Sequence, residues 1–278
     1  LYGDEIDLDI SYGYQNVAKS GEYLPIEVDI ENQTDQDISG ILYIDIENDS
    51  NIDISYDYNI NIDRNSHKKF QSTINVPDET DHIRLRLCDR ESKLLSEESS
   101  DITIHGEGAE LLIGLLSNKP DSLAYFRGVN LGGSGLQTRT VTLNPGSLPD
   151  TREGLEQLDI IVISDLNMQR LGAELTSAIY QWVRDGGVLL MGMGVNADPL
   201  GELSQYLGEL ELSSPELREV NMGIQYSQTG PDGAVLELMT RELYAEDGIQ
   251  AMQSGSLAML TNISAGSGVI GITAFSLC

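Results

Sequence analysis

Carboxylates are the first groups in this chain whose spacing could do chemistry. Asp45, Glu47, Asp49, Asn51 and Asp53 put an oxygen ligand at every second position. Such a run could gather around a hard cation like calcium. The glycine and the closing glutamate of a calcium loop are missing, and solvated strand faces joined by a turn explain the alternation. His67, His82 and His105 all precede residue 108 and lack cysteine or histidine partners at zinc spacing. No metal site and no cofactor are expected. Ser134 in Gly132-Gly133-Ser134-Gly135 and Ser267 in Gly266-Ser267-Gly268 are glycine-flanked serines. Neither completes a G-x-S-x-G elbow, and residues 108–278 hold no histidine to act as base. The glycines from 131 to 135 precede a strand rather than a helix and bring no lysine, so a turn is expected, not a phosphate cradle.

The elements that would position such groups change character near His105-Gly106-Glu107-Gly108. Before it, apolar and polar residues alternate: Ile6, Leu8, Ile10 and Tyr12 against Asp7, Asp9 and Ser11. The same period recurs in 24–30, 41–46, 52–62, 70–76, 82–87 and 101–105, with turn residues between. About seven short strands at this spacing predict an antiparallel β-sandwich of immunoglobulin-like type over residues 1–107. The buried Cys-Trp-Cys core of antibody domains is absent, since the only tryptophan is Trp182.

Residues 108–278 predict a doubly wound, mostly parallel α/β sheet. Glu110–Leu116, ELLIGLL, is a nearly continuous apolar run of strand length, as in a strand covered on both faces. Further strands are expected at 138–143, 159–164, 188–191 and 268–275, with added ones within the mixed stretch 211–265, including 224–227 and 257–260. Helices are expected at 121–128, within 145–155, and at 171–184 and 199–207. The clearest is 171–184, with Leu171, Leu175, Ala178, Ile179, Trp182 and Val183 on one face and Gly186-Gly187 as its stop. Ligands of such sheets bind beyond the carboxyl ends of the strands. That rule singles out Asn118, Asp165, Gly192, Gly194 and Asn196 as a candidate ligand crevice. A crevice filled by protein side chains would argue against a ligand there, and Asp165 alone would then serve to hold its loop.

The chain carries 45 acidic and 16 basic residues in 278, a formal charge of −29. Residues 1–107 hold 25 acidic against 8 basic residues, net −17, and the remainder is net −12. This field repels phosphate backbones and anionic lipid, which excludes nucleic-acid and membrane-surface binding as leading functions. No apolar run is long enough to span a bilayer and no leader-like segment is present. Leu1 in place of Met is expected of an excised or processed chain. Two cysteines, Cys88 and Cys278, fit a cytosolic or a Gram-positive surface protein equally. Asn32, Asn48 and Asn262 each begin a glycosylation sequon, a pattern frequent by chance.

The run LDIIVISDL, followed by a helix ending QWVRDGGVLLMGMG, resembles the core of class I glutamine-amidotransferase-like domains. The likeness covers mainly residues 110–200, and GSGVIGITAF resembles the closing strand. The variety it is most similar to follows an immunoglobulin-like domain in bacterial surface and membrane proteins. Catalytic members place a cysteine on the sharp turn after the strand that follows this helix, with a histidine and an acid completing a triad. The corresponding position falls near Gly194 in Met191-Gly192-Met193-Gly194-Val195-Asn196, so nucleophile and base are both missing. The resemblance therefore implies a degenerate, non-catalytic domain on the extracytoplasmic face of a bacterial membrane. It would act in binding or assembly with an unidentified protein partner. Two alternatives stay open: a carboxylate-based hydrolase using Asp165 and a second acid, and a calcium- or carbohydrate-binding module on the sandwich.

Overall fold

A computed structural model describes residues 5–48, 51–105, 110–129, 136–195, 198–221 and 235–278. Of the described residues 54% are strand and 13% helix, so this is a β-rich protein of several sheets. It divides into two compact units, Leu1–Ala109 and Glu110–Cys278.

In the first unit the strands are β1 (Ile6–Tyr12), β2 (Ala18–Lys19), β3 (Tyr23–Asn32), β4 (Ile38–Asn48), β5 (Asn51–Ile62), β6 (Ser66–Asn75), β7 (His82–Asp89), β8 (Leu94–Asp101) and β9 (Ile104–His105). Two antiparallel sheets form, ordered β1-β3-β6 and β5-β4-β7-β8. The period of two works as expected in β1, whose even-numbered residues are buried and odd-numbered ones exposed. Ile6, Leu8, Val28, Ile30 and Ile74 of one sheet share a single core with Leu42, Ile44, Ile62, Ile83 and Leu85 of the other. One expectation fails. The seventh long strand is Leu94–Asp101, whereas 101–105 contains only the two-residue β9. β8 reads LLSEESSD, a polar edge strand with no apolar period to detect, held by its ladder to β7.

In the second unit the elements are β10 (Glu110–Leu116), β11 (Gln137–Thr142), β12 (Ile160–Ser164), α1 (Gly172–Arg184), β13 (Val188–Gly192), β14 (Leu210–Leu212), β15 (Glu216–Asn221), β16 (Val235–Thr240), β17 (Leu243–Ala245), β18 (Gly248–Ser254), β19 (Leu257–Ala265) and β20 (Gly268–Thr273). A seven-stranded sheet runs β11-β10-β12-β13-β20-β19-β18. Its first five strands are mutually parallel, and β19 and β18 continue it antiparallel. The strand order reverses at β10, which lies between β11 and β12.

The other expected helices are short 3-10 segments, Pro120–Phe126, Glu153–Leu155 and Gly201–Tyr206. Pro120–Phe126 buries only Leu123 and Gly201–Tyr206 only Leu203, too little apolar contact to offset the cost of nucleating an α-helix. The α-helix 171–184 forms with Leu171 as its N-cap residue, and Leu175, Ala178, Ile179, Trp182 and Val183 are buried. The strand expected at 224–227 lies outside the described residues, as do the glycines at 132–135. The added strands expected within 211–265 include the antiparallel pairs β15–β16 and β14–β17, whose partners sequence alone does not assign.

Each end of the quoted motif has a structural cause. Asp159 and Asp165 bracket β12: Asp159 Oδ2 accepts from Leu112 N at 2.5 Å, tying β12 to β10. At the helix end, a Cβ on Gly187 would stand 2.5 Å from the Trp182 ring, so the second glycine is where the indole lies on the backbone.

Candidate functional site

Strands β10, β12 and β13 end side by side at Leu116, Ser164 and Gly192. Of the five positions that sequence reasoning selects, four lie in described residues and Asn196 does not. Asn118 and Asp165 come together: Asn118 Nδ2 donates to the Asp165 carbonyl at 2.7 Å. Asp165 adopts a left-handed backbone, φ 50°, which aspartate tolerates better than most residues. Its carboxylate meets Lys119 Nζ at 2.8 Å, and that contact holds the ammonium above its ordinary pKa. Arg170 reaches the Asn118 side-chain oxygen at 3.4 Å. The groups around Asp165 are thus a lysine and an amide rather than the second acid that a carboxylate hydrolase needs.

Gly192 and Gly194 sit on the next strand end. A Cβ at Gly192 would meet Ser164 Oγ at 2.5 Å and Leu277 N at 2.8 Å, so only glycine lets these groups approach. The Gly194 carbonyl accepts from Arg241 Nε at 3.0 Å. Arg241 is 6% exposed and also donates from Nη1 to the Ser213 carbonyl at 2.9 Å. Sequence reasoning missed Arg241. Its signal, a lone arginine between apolar strands, is visible only once β16 and β20 are known to meet at Thr240 and Phe275.

Sequence reasoning also missed what crosses these strand ends. After β20 the chain turns over them. Ser276 comes within hydrogen-bonding distance of Ser164, Oγ to Oγ 3.2 Å. Leu277 N donates to Ser164 Oγ at 3.0 Å, and its carbonyl accepts from Tyr125 OH at 2.9 Å. The Leu277 side chain packs on the cluster of Ile113, Leu115, Leu123 and Val162. Cys278 reaches Ser117, Sγ to Oγ 3.3 Å, just past the end of β10. Ser164 is 1% exposed, so its hydroxyl is a buried, directed partner. Partial burial raises the Tyr125 phenol above its usual pKa, although the residue is 55% exposed. Asn118, Asp165 and Gly192 therefore surround a segment of the chain itself.

The acidic run of the first unit has another use. Asp45 is fully buried and accepts from Arg86 Nε and Ser55 Oγ, each at 2.5 Å. Glu47 pairs with Arg84. Asp49 lies outside the described residues. Among the described residues no group of three histidine, cysteine or acidic side chains is placed to hold a metal ion.

A family model described as Domain of unknown function (DUF8726) matches residues 5–103. No curated protein matches the chain. Among solved structures, Cytoplasmic Protein STM1381 from Salmonella typhimurium LT2 is 16% identical, with a TM-score of 0.44, over 61% of this chain and 89% of that one. The exo-beta-1,4-mannosidase Op5Man5 from Opitutaceae bacterium strain TAV5 is 11% identical, with a TM-score of 0.40, over 61% of this chain and 31% of that one. Cytoplasmic Protein STM3548 from Salmonella typhimurium is 13% identical, with a TM-score of 0.40, over 60% and 87%. Likenesses this distant carry no argument about what the chain does.

Proposed function

We propose that this chain is a non-catalytic binding or assembly region from the extracytoplasmic face of a bacterial membrane. It pairs an immunoglobulin-like sandwich with a doubly wound, amidotransferase-like unit that has no working triad. The observation that carries the reading is the turn after β13. Where an amidotransferase would hold its cysteine, this chain has Gly194, whose carbonyl is engaged by the buried Arg241. A base is also wanting, because residues 108–278 contain no histidine. Asp165, the remaining candidate, is paired with Lys119. The five parallel strands and the QWVRDGG helix end support the amidotransferase-like assignment. The two facing sheets with one core support the sandwich.

A protein partner fits this surface better than a polyanion, since the net charge of −29 repels phosphate. No helix of the described residues is long and apolar enough to cross a membrane, so a membrane-associated partner or a flanking segment would supply the anchorage. The test has two arms. Incubation with glutamine or asparagine is expected to release no ammonia above a heat-denatured control, and turnover would refute the non-catalytic reading. Capture from solubilised source membranes is expected to retain a defined membrane protein at stoichiometric level; retention from the cytosolic fraction alone would refute the location.

A further inference from the structure

The outer strand of the seven-stranded sheet, β18, differs from the other sheet edges in carrying no charge. Among the described residues it bonds to β19 alone. Its sequence, GIQAMQS, has neither a charged residue nor a proline, in a chain of which 22% is charged. The five other edges of the sheets with three or more strands each hold charge: Asp9 in β1, Lys69 in β6, Asp57 in β5, Glu97 in β8 and Arg139 in β11. Charges and prolines on an edge strand keep its outward N–H and C=O groups from taking up another strand. β18 has neither protection.

The side chains of β18 are open too. Ile249 is 67% exposed and Met252 47%. They share one face of the sheet although they are three residues apart, because Ala251 is an extra residue in the ladder. Ile249 lies opposite Asn262, Gln250 opposite Thr261 and Met252 opposite Leu260. On that face Leu190 and Leu260, both half-buried, meet over Gly271, where an added Cβ would stand 3.3 and 3.4 Å from them. Met252 carries this apolar row out to the sheet edge.

We propose that β18 pairs antiparallel with β18 of a second copy of this chain, joining two seven-stranded sheets across a two-fold axis. Charge selects the occupant. At −29 per chain, copies repel one another over most of their surface, and the repulsion is least along a strand without charge. An acidic strand is repelled by the same field, and a basic strand finds no carboxylate on β18 to pair with. The neutral strand that fits is β18 itself. A register centred between Gln250 and Ala251 sets Ile249 of each copy against Met252 of the other, two apolar cross-strand pairs by symmetry. It also holds the two Asp247 carboxylates at opposite ends of the ladder. The assembly closes at two copies because the axis uses both β18 edges, and at the far edge Arg139 of β11 is paired with Glu110. An interface of one strand edge is at the small end of the range for specific complexes, so the pair forms by mass action at high concentration. This pairing goes beyond the binding reading above and does not depend on it.

Sedimentation of the whole chain between about 2 and about 200 µM is expected to show a monomer–dimer equilibrium with no larger species. Raising salt from about 0.1 M to about 1 M shortens the Debye length from about 10 Å to about 3 Å and is expected to tighten the pair. Ile249→Glu combined with Met252→Glu gathers four carboxylates at the axis and is expected to weaken it about tenfold or more, with Trp182 emission and circular dichroism unchanged. Leu94→Glu, on an edge of the first unit, is expected to leave the pair intact. Hydrogen exchange of the unaltered chain is expected to slow at residues 249–253 as concentration rises. Exchange there that ignores concentration would overturn the proposal without any variant. So would a chain that stays monomeric at about 200 µM in both salts. A dimer that the double variant leaves intact, that Leu94→Glu breaks, or that loosens in high salt would overturn it as well, as would open-ended oligomers.

Discussion

The paired glycines after α1 separate two physical costs that are usually mixed. Gly187 has an ordinary backbone, but a Cβ there would lie 2.5 to 2.6 Å from three ring atoms of Trp182. Trp182 is 4% exposed and part of the core face of α1, so the ring has little freedom to yield. Gly187→Ala is therefore an overpacking change, expected to cost the second unit about 2–3 kcal/mol, the upper part of the usual range. Gly186 is the converse. Its φ is 129°, in the region that favours glycine, and nothing stands within 4 Å of an added Cβ. Gly186→Ala is a pure backbone strain, expected to cost about 1–2 kcal/mol. The only tryptophan of the chain is the reporter. Urea unfolding followed by Trp182 emission is expected to shift its midpoint down by about 1 M for Gly187→Ala, and by less for Gly186→Ala. The native emission spectrum is expected to change for Gly187→Ala only. A Gly187→Ala midpoint within about 0.2 M of the unaltered chain would refute the contact with the indole, and with it the structural reason offered for the W-V-x-x-G-G pattern.

The first unit yields three further predictions. Asp45→Asn removes the carboxylate that neutralises Arg86, whose side chain is 30% exposed, so the cost falls between surface and buried pairs at about 2 kcal/mol; circular dichroism during urea unfolding measures it, and a loss under about 0.5 kcal/mol contradicts the pairing. Asn32 is fully buried and ties residues 34, 36 and 63 together through both ends of its amide. Asn32→Ala is expected to destabilise by about 2 kcal/mol in the same assay, and expression in a glycosylating host is expected to leave folded Asn32 unmodified by mass spectrometry. His82 has its pKa raised above 6.5, first by its hydrogen bond to the Asp81 carbonyl and then by the charges of Asp81 and Asp101. Its contribution is accordingly full below pH 6.5 and lost as pH rises through the folded-state value. A proton NMR titration placing the imidazole midpoint at or below 6.5 would contradict this.

Local pattern was legible wherever one residue period met one environment. β1 alternates because one face is buried, and β10 is apolar from Leu111 to Leu116 because both faces are covered. α1 announces itself by a buried stripe and a glycine stop. β8 was illegible because an edge strand held by backbone pairing needs no apolar signal. The 3-10 segments were over-read as helices because the amount of core each one buries is not a local property.

The strand-end positions could be chosen from sequence, since the carboxyl ends of parallel strands follow from the strand boundaries. Their company could not. Asp165 pairing with Lys119 crosses a loop-to-loop gap, and Arg241 reaching Gly194 joins residues far apart in the chain. By itself the sequence determined the acidic character, the two-part pattern, and the lack of histidine after residue 107. Only the tertiary structure decided that Leu277 lies where a ligand was expected. The position of residues 276–278 depends on β20 running parallel to β13, and on Ser164 and Tyr125 meeting Leu277 from two other elements. Such contacts are set by sheet order, for which short-range periodicity carries no signal.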